Sequence, residues 1–537
     1  MLLLKRLQKS KHREINIVPK LKQTTAMKAK TIPGYILIFG TILFFSFSCR
    51  EDTGKSLNKK YLEGEFWRQQ GLTQIIPFWQ NHVRDTANGA FYLYLSRDGT
   101  PQPPWDKYPA MTSRQVFGFT TAYLLSGDEK YLEIAHEGVK YLLKNAWDHQ
   151  YGGWFDLLDQ SGNPKASTKS VFNQLYTNAG LALYYFATRD EDVLFHIKES
   201  IRIQKTYAFD KNDGGYFTAL SRDLSVSDSS KGKHSHFGYT SSLLINLMMF
   251  TRDKEIQDFA EELMQISLTQ MTDTNFGWFL GYPGHYDAKW NLKPTIVNNN
   301  EVISAGAQLT ACLSLLRLSE ITGNEIYRTK GINLGELLLH TAWDSTRGGW
   351  FDMIERMPPH LPQDTSSISW WIQSYGLYLQ LHLYNITGEK RYLESYQKMA
   401  SFWINYFVDK EFGGIYLSVS PTGIPLSTDK AVGSKSSYHE MENALLNYLY
   451  LNLYVNHAPV TLYFQIKNSS AQSIYFVSIV EDPSVQIIGV KINDKSWNDF
   501  NAIERSVVLP EGKDLKLEVT LGATGPSHAE IQVKTLR

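Results

Sequence analysis

Cysteine is all but missing from this chain, which carries only Cys49 and Cys312 in 537 residues. No Cys/His cluster has the spacing of a zinc site. There is no glycine-rich loop of the kind that cradles phosphate and no linear metal motif, so no cofactor is expected. Only one long apolar run occurs, Tyr35 to Phe47, and nothing after it approaches the about 20 residues of a membrane span. Charge of one sign is also scarce. The first 49 residues hold nine Lys or Arg and one Glu, leaving 45 bases against 53 acids in the remainder. That acidic remainder has no basic stripe for a nucleic acid.

The leader predicts a compartment. Lys28 and Lys30 precede the apolar run, which ends in Ser46-Phe47-Ser48-Cys49, the small-residue-then-Cys pattern of a bacterial lipoprotein signal. Cleavage would make Cys49 the lipid-bearing first residue, with Met27 as the expected start of a leader of ordinary length. Acyl chains would then hold the protein on a bilayer at the periplasmic or outer face of the cell envelope. With Cys49 used this way, a disulfide within the mature monomer is excluded. Cys312 falls in an apolar helical stretch, where a buried, inert thiol is expected.

What the chain has in abundance is a repeat. An Asp, three residues, a Gly, then small and aromatic residues recur at Asp85, Asp148, Asp210, Asp273, Asp344 and Asp409, spaced 63, 62, 63, 71 and 65 apart. That period fits two helices and their connections. Each copy follows an amphipathic stretch such as Tyr131 to Ala146 and precedes a less polar one such as Gln174 to Phe186, so each links an outer helix to an inner one. Six such hairpins predict a mainly α fold, an (α/α)6 barrel, over residues 59–456 after a linker at 50–58. With 43% hydrophobic and 13% aromatic residues, the core is well supplied.

If the Gly turns share one end of the ring, the first turns of the inner helices converge on one mouth. Those turns read Arg114 and Phe117; Asn173 and Tyr176; His234, His236 and Tyr239; Asn298, Asn299, Asn300 and Glu301; Trp370, Trp371 and Gln373; and Tyr438, His439, Glu442 and Asn443. Aromatic faces suit the C–H faces of a sugar ring, while amides, imidazoles and Arg bind hydroxyls. Glu442 and Asn443 follow His439 by three and four residues, where either could orient the imidazole.

After Val455 the periodicity changes to alternation. Val460 to Ile466, Val485 to Ile492, Ser506 to Leu509, Leu515 to Leu521 and Ala529 to Val533 read as strands, predicting a small β-sandwich-like domain at 457–537 that packs on the barrel or, less simply, binds carbohydrate.

The repeat phrases, with Arg114-Gln115-Val116-Phe117-Gly118-Phe119, Trp370-Trp371-Ile372-Gln373 and Lys435-Ser436-Ser437-Tyr438-His439, resemble the N-acylglucosamine 2-epimerase superfamily over roughly residues 60 to 456. The resemblance implies an (α/α)6 barrel. It also implies two inner-helix histidines that move a proton beside a sugar carbonyl, with an Arg and one or two Glu. Arg114 matches that Arg and His439 the last His. The other His, three before a Glu at the head of the eighth helix, has no counterpart in Asn298-Asn299-Asn300-Glu301. Either Asn298 stands in its place and Glu301 keeps the Glu, or Glu301 itself takes the His position. Tyr375 stands where a Glu often follows the paired tryptophans, and a sixth-helix His corresponds to His236 or Tyr239.

Proton transfer at carbon needs a base on one side and an acid on the other. The expected catalytic set is therefore His439, Glu301 and Arg114. Asn173, Tyr176, His236, Tyr239, Asn298, Asn299, Trp370, Trp371, Gln373, Tyr438 and Glu442 are the expected substrate contacts. The expected partner is a reducing mono- or oligosaccharide. Two other classes fit the same residues: a polysaccharide lyase or glycoside hydrolase on a helical toroid, with Asn299, His439, Tyr438 and Arg114 around a uronate, and a glycan-binding lipoprotein without turnover.

Overall fold

The computed structural model describes residues 59–468 and 472–523. Cys49 and the leader, the linker at 50–58 and the Ala529 to Val533 stretch lie outside the described residues.

Six inner helical segments form the centre. They are Pro109–Ser126, Val171–Thr188, a run through Phe237–Tyr239, Thr240–Leu244 and Ile245–Thr251, then Ala305–Thr322, Trp370–Thr387 and Tyr438–Tyr450. Each packs on the next, and the sixth returns to the first, so the ring closes. Outer helices back them at Glu129–Tyr141, Glu191–Tyr207, Lys254–Gln270, Glu325–Thr341 and Lys390–Phe402. The first outer helix is broken into Gly64–Gln70, Gly71–Ile75 and Ile76–His82, because Pro77 has no N–H to continue the ladder.

The two rings differ in the way their residues dictate. Outer helix Glu129–Tyr141 buries Tyr131, Leu132, Ile134, Ala135, Gly138, Val139 and Tyr141 along one stripe. Inner helix Val171–Thr188 is buried all round except at Phe172, as expected of a helix surrounded by others. Inner helices end in a left-handed residue (Gly127, Arg189, Arg252, Gly323, Gly388), and the outer helix starts at once behind it, with an Asp or Asn cap in the first four cases and in the fifth with Glu389, whose side chain accepts no capping hydrogen bond. Asp128, Asp190, Asp253 and Asn324 each accept a hydrogen bond from a backbone N–H of the new first turn.

The repeated Asp-Gly phrase is a turn with a fixed wiring. In the copy at Asp148, the carboxylate accepts from the backbone N–H of Gln150 at 3.1 Å, and Gly152 N donates to the Asp148 carbonyl at 2.7 Å. Gly152 and Gly153 sit at φ 76° and 79°, a region a side chain would strain. Four of the six carboxylates also hold a buried Lys 21 or 22 residues further on: Lys107–Asp85 at 2.6 Å, Lys169–Asp148 at 3.2 Å, Lys231–Asp210 at 2.8 Å and Lys430–Asp409 at 2.8 Å. Burial opposes the charge on Asp409, yet hydrogen bonds from Arg97 and Lys430 hold its pKa well below the usual carboxylate range.

This wiring makes a stability prediction. Asp409→Asn keeps an acceptor for the turn but leaves Lys430 buried without its counter-ion, at a cost of about 3 kcal/mol. Asp344→Asn, whose partner Arg347 is half exposed, costs under about 1 kcal/mol. Urea unfolding of the two variants measures the difference.

From Val460 the chain forms two antiparallel sheets. One orders Val460–Asn468, Gly512–Ala523, Val485–Ile492 and Lys495–Ser496; the other orders Ser473–Phe476, Ser506–Leu509 and Phe500–Asn501. Val460, Leu462, Phe464 and Ile466 alternate into the core. Phe464 meets Phe186 near the C-terminal end of an inner helix at a centroid distance of 5.2 Å. The sheets therefore pack at the end of the helical ring remote from the Gly turns.

Candidate functional site

The first turns of the inner helices surround a cavity of about 380 Å³, within the range of small-ligand sites. Arg114 enters from the first inner helix, Phe172 and Tyr176 from the second, Lys233 and His234 from the short turn Lys233–Ser235 that leads into the third, Trp370, Trp371 and Tyr375 from the fifth, and His439 from the sixth. Connecting segments add Tyr282, Asp352, Ser369, Leu417, Ser418 and Ser434. The fourth inner helix supplies space instead. It begins with Ala305 and Gly306, and a Cβ on Gly306 would lie 2.0 Å from the Trp371 indole, so only glycine lets that ring settle there.

His439 stands in an aromatic wall. Tyr375 meets it edge-on at 5.2 Å, and Trp371 and Trp370 lie at 6.2 and 6.3 Å. Its Nδ1 is 3.2 Å from Glu442 Oε2. A carboxylate only accepts, so Nδ1 carries the proton and Nε2 keeps its lone pair. Burial pushes the His439 pKa down to about 4, with Glu442 opposing and Arg114 and Lys233 reinforcing the shift. The imidazole is neutral at pH 7 and able to accept a proton.

Arg114 is nearly buried, its guanidinium 3.8 Å from the Tyr176 ring centroid, and it donates to the Ser434 carbonyl at 3.2 Å. Tyr438 supports it from behind, packed on Phe117 at 4.4 Å. Of the residues expected at the site, Arg114, Tyr176, Trp370, Trp371 and His439 thus share one cavity, and Tyr438 and Glu442 adjoin it.

The others are placed elsewhere, for identifiable reasons. Asn298 and Asn299, at φ 50° and 67°, are the exposed two-residue turn joining strands Thr295–Val297 and Asn300–Ser304, the type I′ geometry that Asn tolerates. Glu301 lies on that hairpin and pairs with Arg356 at 2.7 Å, outside the cavity lining. Neither arrangement leaves it to serve as acid or base in the cavity. Asn173 is fully buried, accepting from Ala110 N at 2.9 Å and donating to the Phe155 carbonyl at 2.6 Å, and so caps the neighbouring helix. Tyr239 is buried against Phe259.

Gln373 and His236 belong to a second internal device. Gln373 grips Trp350 by its backbone N–H (2.8 Å) and carbonyl (3.0 Å); Gln174 does the same to Trp154, and Gln308 to Phe279. His236 occupies the equivalent place, its Nε2 accepting from Tyr216 N at 3.2 Å, and burial lowers its pKa to about 4. These side chains fasten the Gly turns to the inner helices rather than reaching a ligand.

Sequence reasoning passed over Lys233 and Asp352. Lys233 stands three residues before His236, as the cavity residue Trp370 stands three before Gln373, but the spacing alone is no marker, since Ala305 before Gln308 and Val171 before Gln174 lie outside the lining. Asp352 follows Gly348-Gly349-Trp350-Phe351 as Asp156 follows Gly152-Gly153-Trp154-Phe155. Burial raises the Asp352 pKa, against a hydrogen bond from Ser369 Oγ at 3.2 Å. Among the described residues no group of three or more His, Cys, Asp or Glu is arranged to hold a metal ion.

The chain is 25% identical to cellobiose 2-epimerase of Ruminococcus albus over 395 residues, covering 69% of this chain and 95% of that one. It is 22% identical to D-mannose isomerase of Marinomonas mediterranea over 367 residues, covering 66% and 89%. In structure it is similar to cellobiose 2-epimerase from Bacillus thermoamylovorans, with a TM-score of 0.63 at 20% identity over 72% of this chain and 98% of that one. Residues 78–443 match the family model of N-acylglucosamine 2-epimerase, and the chain belongs to that family.

Proposed function

We propose that this protein is a sugar 2-epimerase or isomerase, built on an (α/α)6 barrel, that moves a proton at the carbon beside the carbonyl of a reducing sugar or small oligosaccharide. The observation that carries this reading is the neutral His439, oriented by Glu442 in an aromatic cavity shared with Arg114. In the reaction His439 Nε2 takes the proton from C2. The C–H pair becomes the C1–C2 π bond and the carbonyl pair moves onto O1, giving an enediolate. Arg114 supplies a positive charge near the oxygen that becomes negative. Trp370, Trp371 and Tyr176 provide surfaces for the sugar's C–H faces. Return of a proton to the other face of C2 re-forms the C1 carbonyl and gives the epimer; return to C1, with the O2 proton passing to O1 so that the carbonyl forms at C2, gives the ketose. The Cys49 leader pattern supports placing this activity in the bacterial cell envelope on a lipid anchor.

Incubation in deuterated buffer with cellobiose, mannose, N-acetylmannosamine and uronate oligosaccharides tests the reading. Deuterium at C2 of at least one of them is expected by NMR; a panel that stays protiated throughout removes it.

A further inference from the structure

We propose that Lys233 is the second proton-handling group of this site, acting with His439 on a sugar held against Trp371. The proposal rests on the epimerase reading above and answers the question that reading leaves, because His439 alone cannot serve both faces of C2. Lys233 lines the cavity three residues before the His236 grip, as Trp370 does before Gln373, whereas the equivalent Val171 and Ala305 stay out of the lining.

Lys233 lines the cavity at 4% exposure, and among the described residues it makes no ion pair within 4 Å and no hydrogen bond through Nζ. Its Nζ lies 5.1 Å from the Tyr282 ring centroid and 5.2 Å from that of Trp371, the same indole that stands 6.2 Å from His439. A buried ammonium without a partner at contact distance is costly, so the amine form is favoured. Burial and the neighbouring Arg114 lower its pKa to about 7, with Asp352 opposing. His234 beside it is held neutral by burial and by the Lys233 charge, and the other titratable groups around the cavity are His439 with its partner Glu442 and the phenols of Tyr176, Tyr282 and Tyr375, with burial raising the pKa of Tyr282 and Tyr375. Near neutral pH Lys233 thus exists both as an amine that can take the C2 proton and as an ammonium that can return one. One epimer gives its proton to His439 and receives another at C2 from the Lys233 ammonium; solvent then takes the His439 proton and reprotonates Lys233 before the next turnover, and in the reverse direction the two roles are exchanged.

The test uses the full chain with cellobiose and its C2 epimer, glucosyl-mannose, in deuterated buffer. In Lys233→Met, interconversion is expected to fall at least about 100-fold while deuterium still enters C2 from one epimer, the one whose proton faces His439. Lys233→Arg keeps the positive charge but does not deprotonate, and the same one-sided exchange is expected. Interconversion restored by Arg, or exchange kept or lost equally from both epimers, overturns the assignment while leaving the epimerase reading in place. A wild-type protein that exchanges neither these sugars nor any of the wider panel removes that reading and this assignment together.

Discussion

Replacing His439 by Asn lowers kcat by about 10³-fold with little change in KM. A positioned general base contributes about 10² to 10⁴ in rate, and binding is spread over aromatic surfaces that the substitution leaves alone. Asn can still donate towards Glu442, so the variant keeps the wall of Trp370, Trp371 and Tyr375 around an inert side chain. The pH dependence separates this role from a packing role. Burial is the largest influence on His439 and lowers its pKa to about 4, because the charged form has lost its water. The reactive form is the neutral one, so activity is present above that value and is lost as pH falls through it. The acid limb of kcat/KM in the wild type is therefore expected near pH 4, more than two units below an ordinary imidazole. A limb near pH 6.5 would mean that His439 is solvated in the free enzyme, and a His439→Asn variant within tenfold of wild type would remove it from the chemistry.

How far the sequence could be read depends on how local each cause is. The Asp-Gly phrase was legible because a turn that needs an Asx acceptor and a positive φ leaves little choice of residue, and the structure places all six copies in such turns. Strands Val485–Ile492 and Ser506–Leu509 coincide with their alternating patterns for the same reason. The paired Lys was not read, although it recurs 21 or 22 residues after Asp85, Asp148, Asp210 and Asp409, since a single Lys in a polar connection looks like solvated surface. The connection Thr188-Arg189-Asp190, repeated at Thr251-Arg252-Asp253 and varied at Thr322-Gly323-Asn324, was a second marker of helix boundaries that went unused.

At the site, register decided what was legible. Arg114, Trp370, Trp371 and His439 lie within the first two turns of long inner helices, where period and face are fixed. Polar residues before an apolar run make Asn298 to Glu301 look like a helix head, but the helix starts only at Ala305, and a hairpin fills the interval. The longest repeat spacing, 71 residues between Asp273 and Asp344, is where this extra hairpin was inserted. Gln373 and His236 were misplaced for a different reason. Their chemistry suits a sugar, and only the backbone they grip, 20 to 23 residues earlier in the chain, reveals their use.

The largest expected effect on stability lies at the far end of the molecule. Glu481, from the segment between the two small sheets, reaches the end of the helical ring and is almost fully buried. It pairs with Arg317 of the fourth inner helix and accepts from the Tyr450 hydroxyl at 2.9 Å. Arg317 also donates to Asn246 Oδ1 at 2.8 Å, and Tyr450 Oη lies 3.0 Å from His382 Nε2, so four inner helical segments or their neighbours meet around one carboxylate. Burial alone would raise the Glu481 pKa, but the Arg317 charge holds it below the ordinary value. Such a pair need not add net stability over an apolar one, yet removing one member leaves the other charge stranded. Glu481→Ala is therefore expected to cost about 3 to 5 kcal/mol, and the double variant Glu481→Leu with Arg317→Met to recover most of that loss. Thermal and urea unfolding of the three proteins measures it. If the single variant loses less than about 1 kcal/mol, the range of a surface pair, the C-terminal sheets are an appendage to the helical ring rather than its floor.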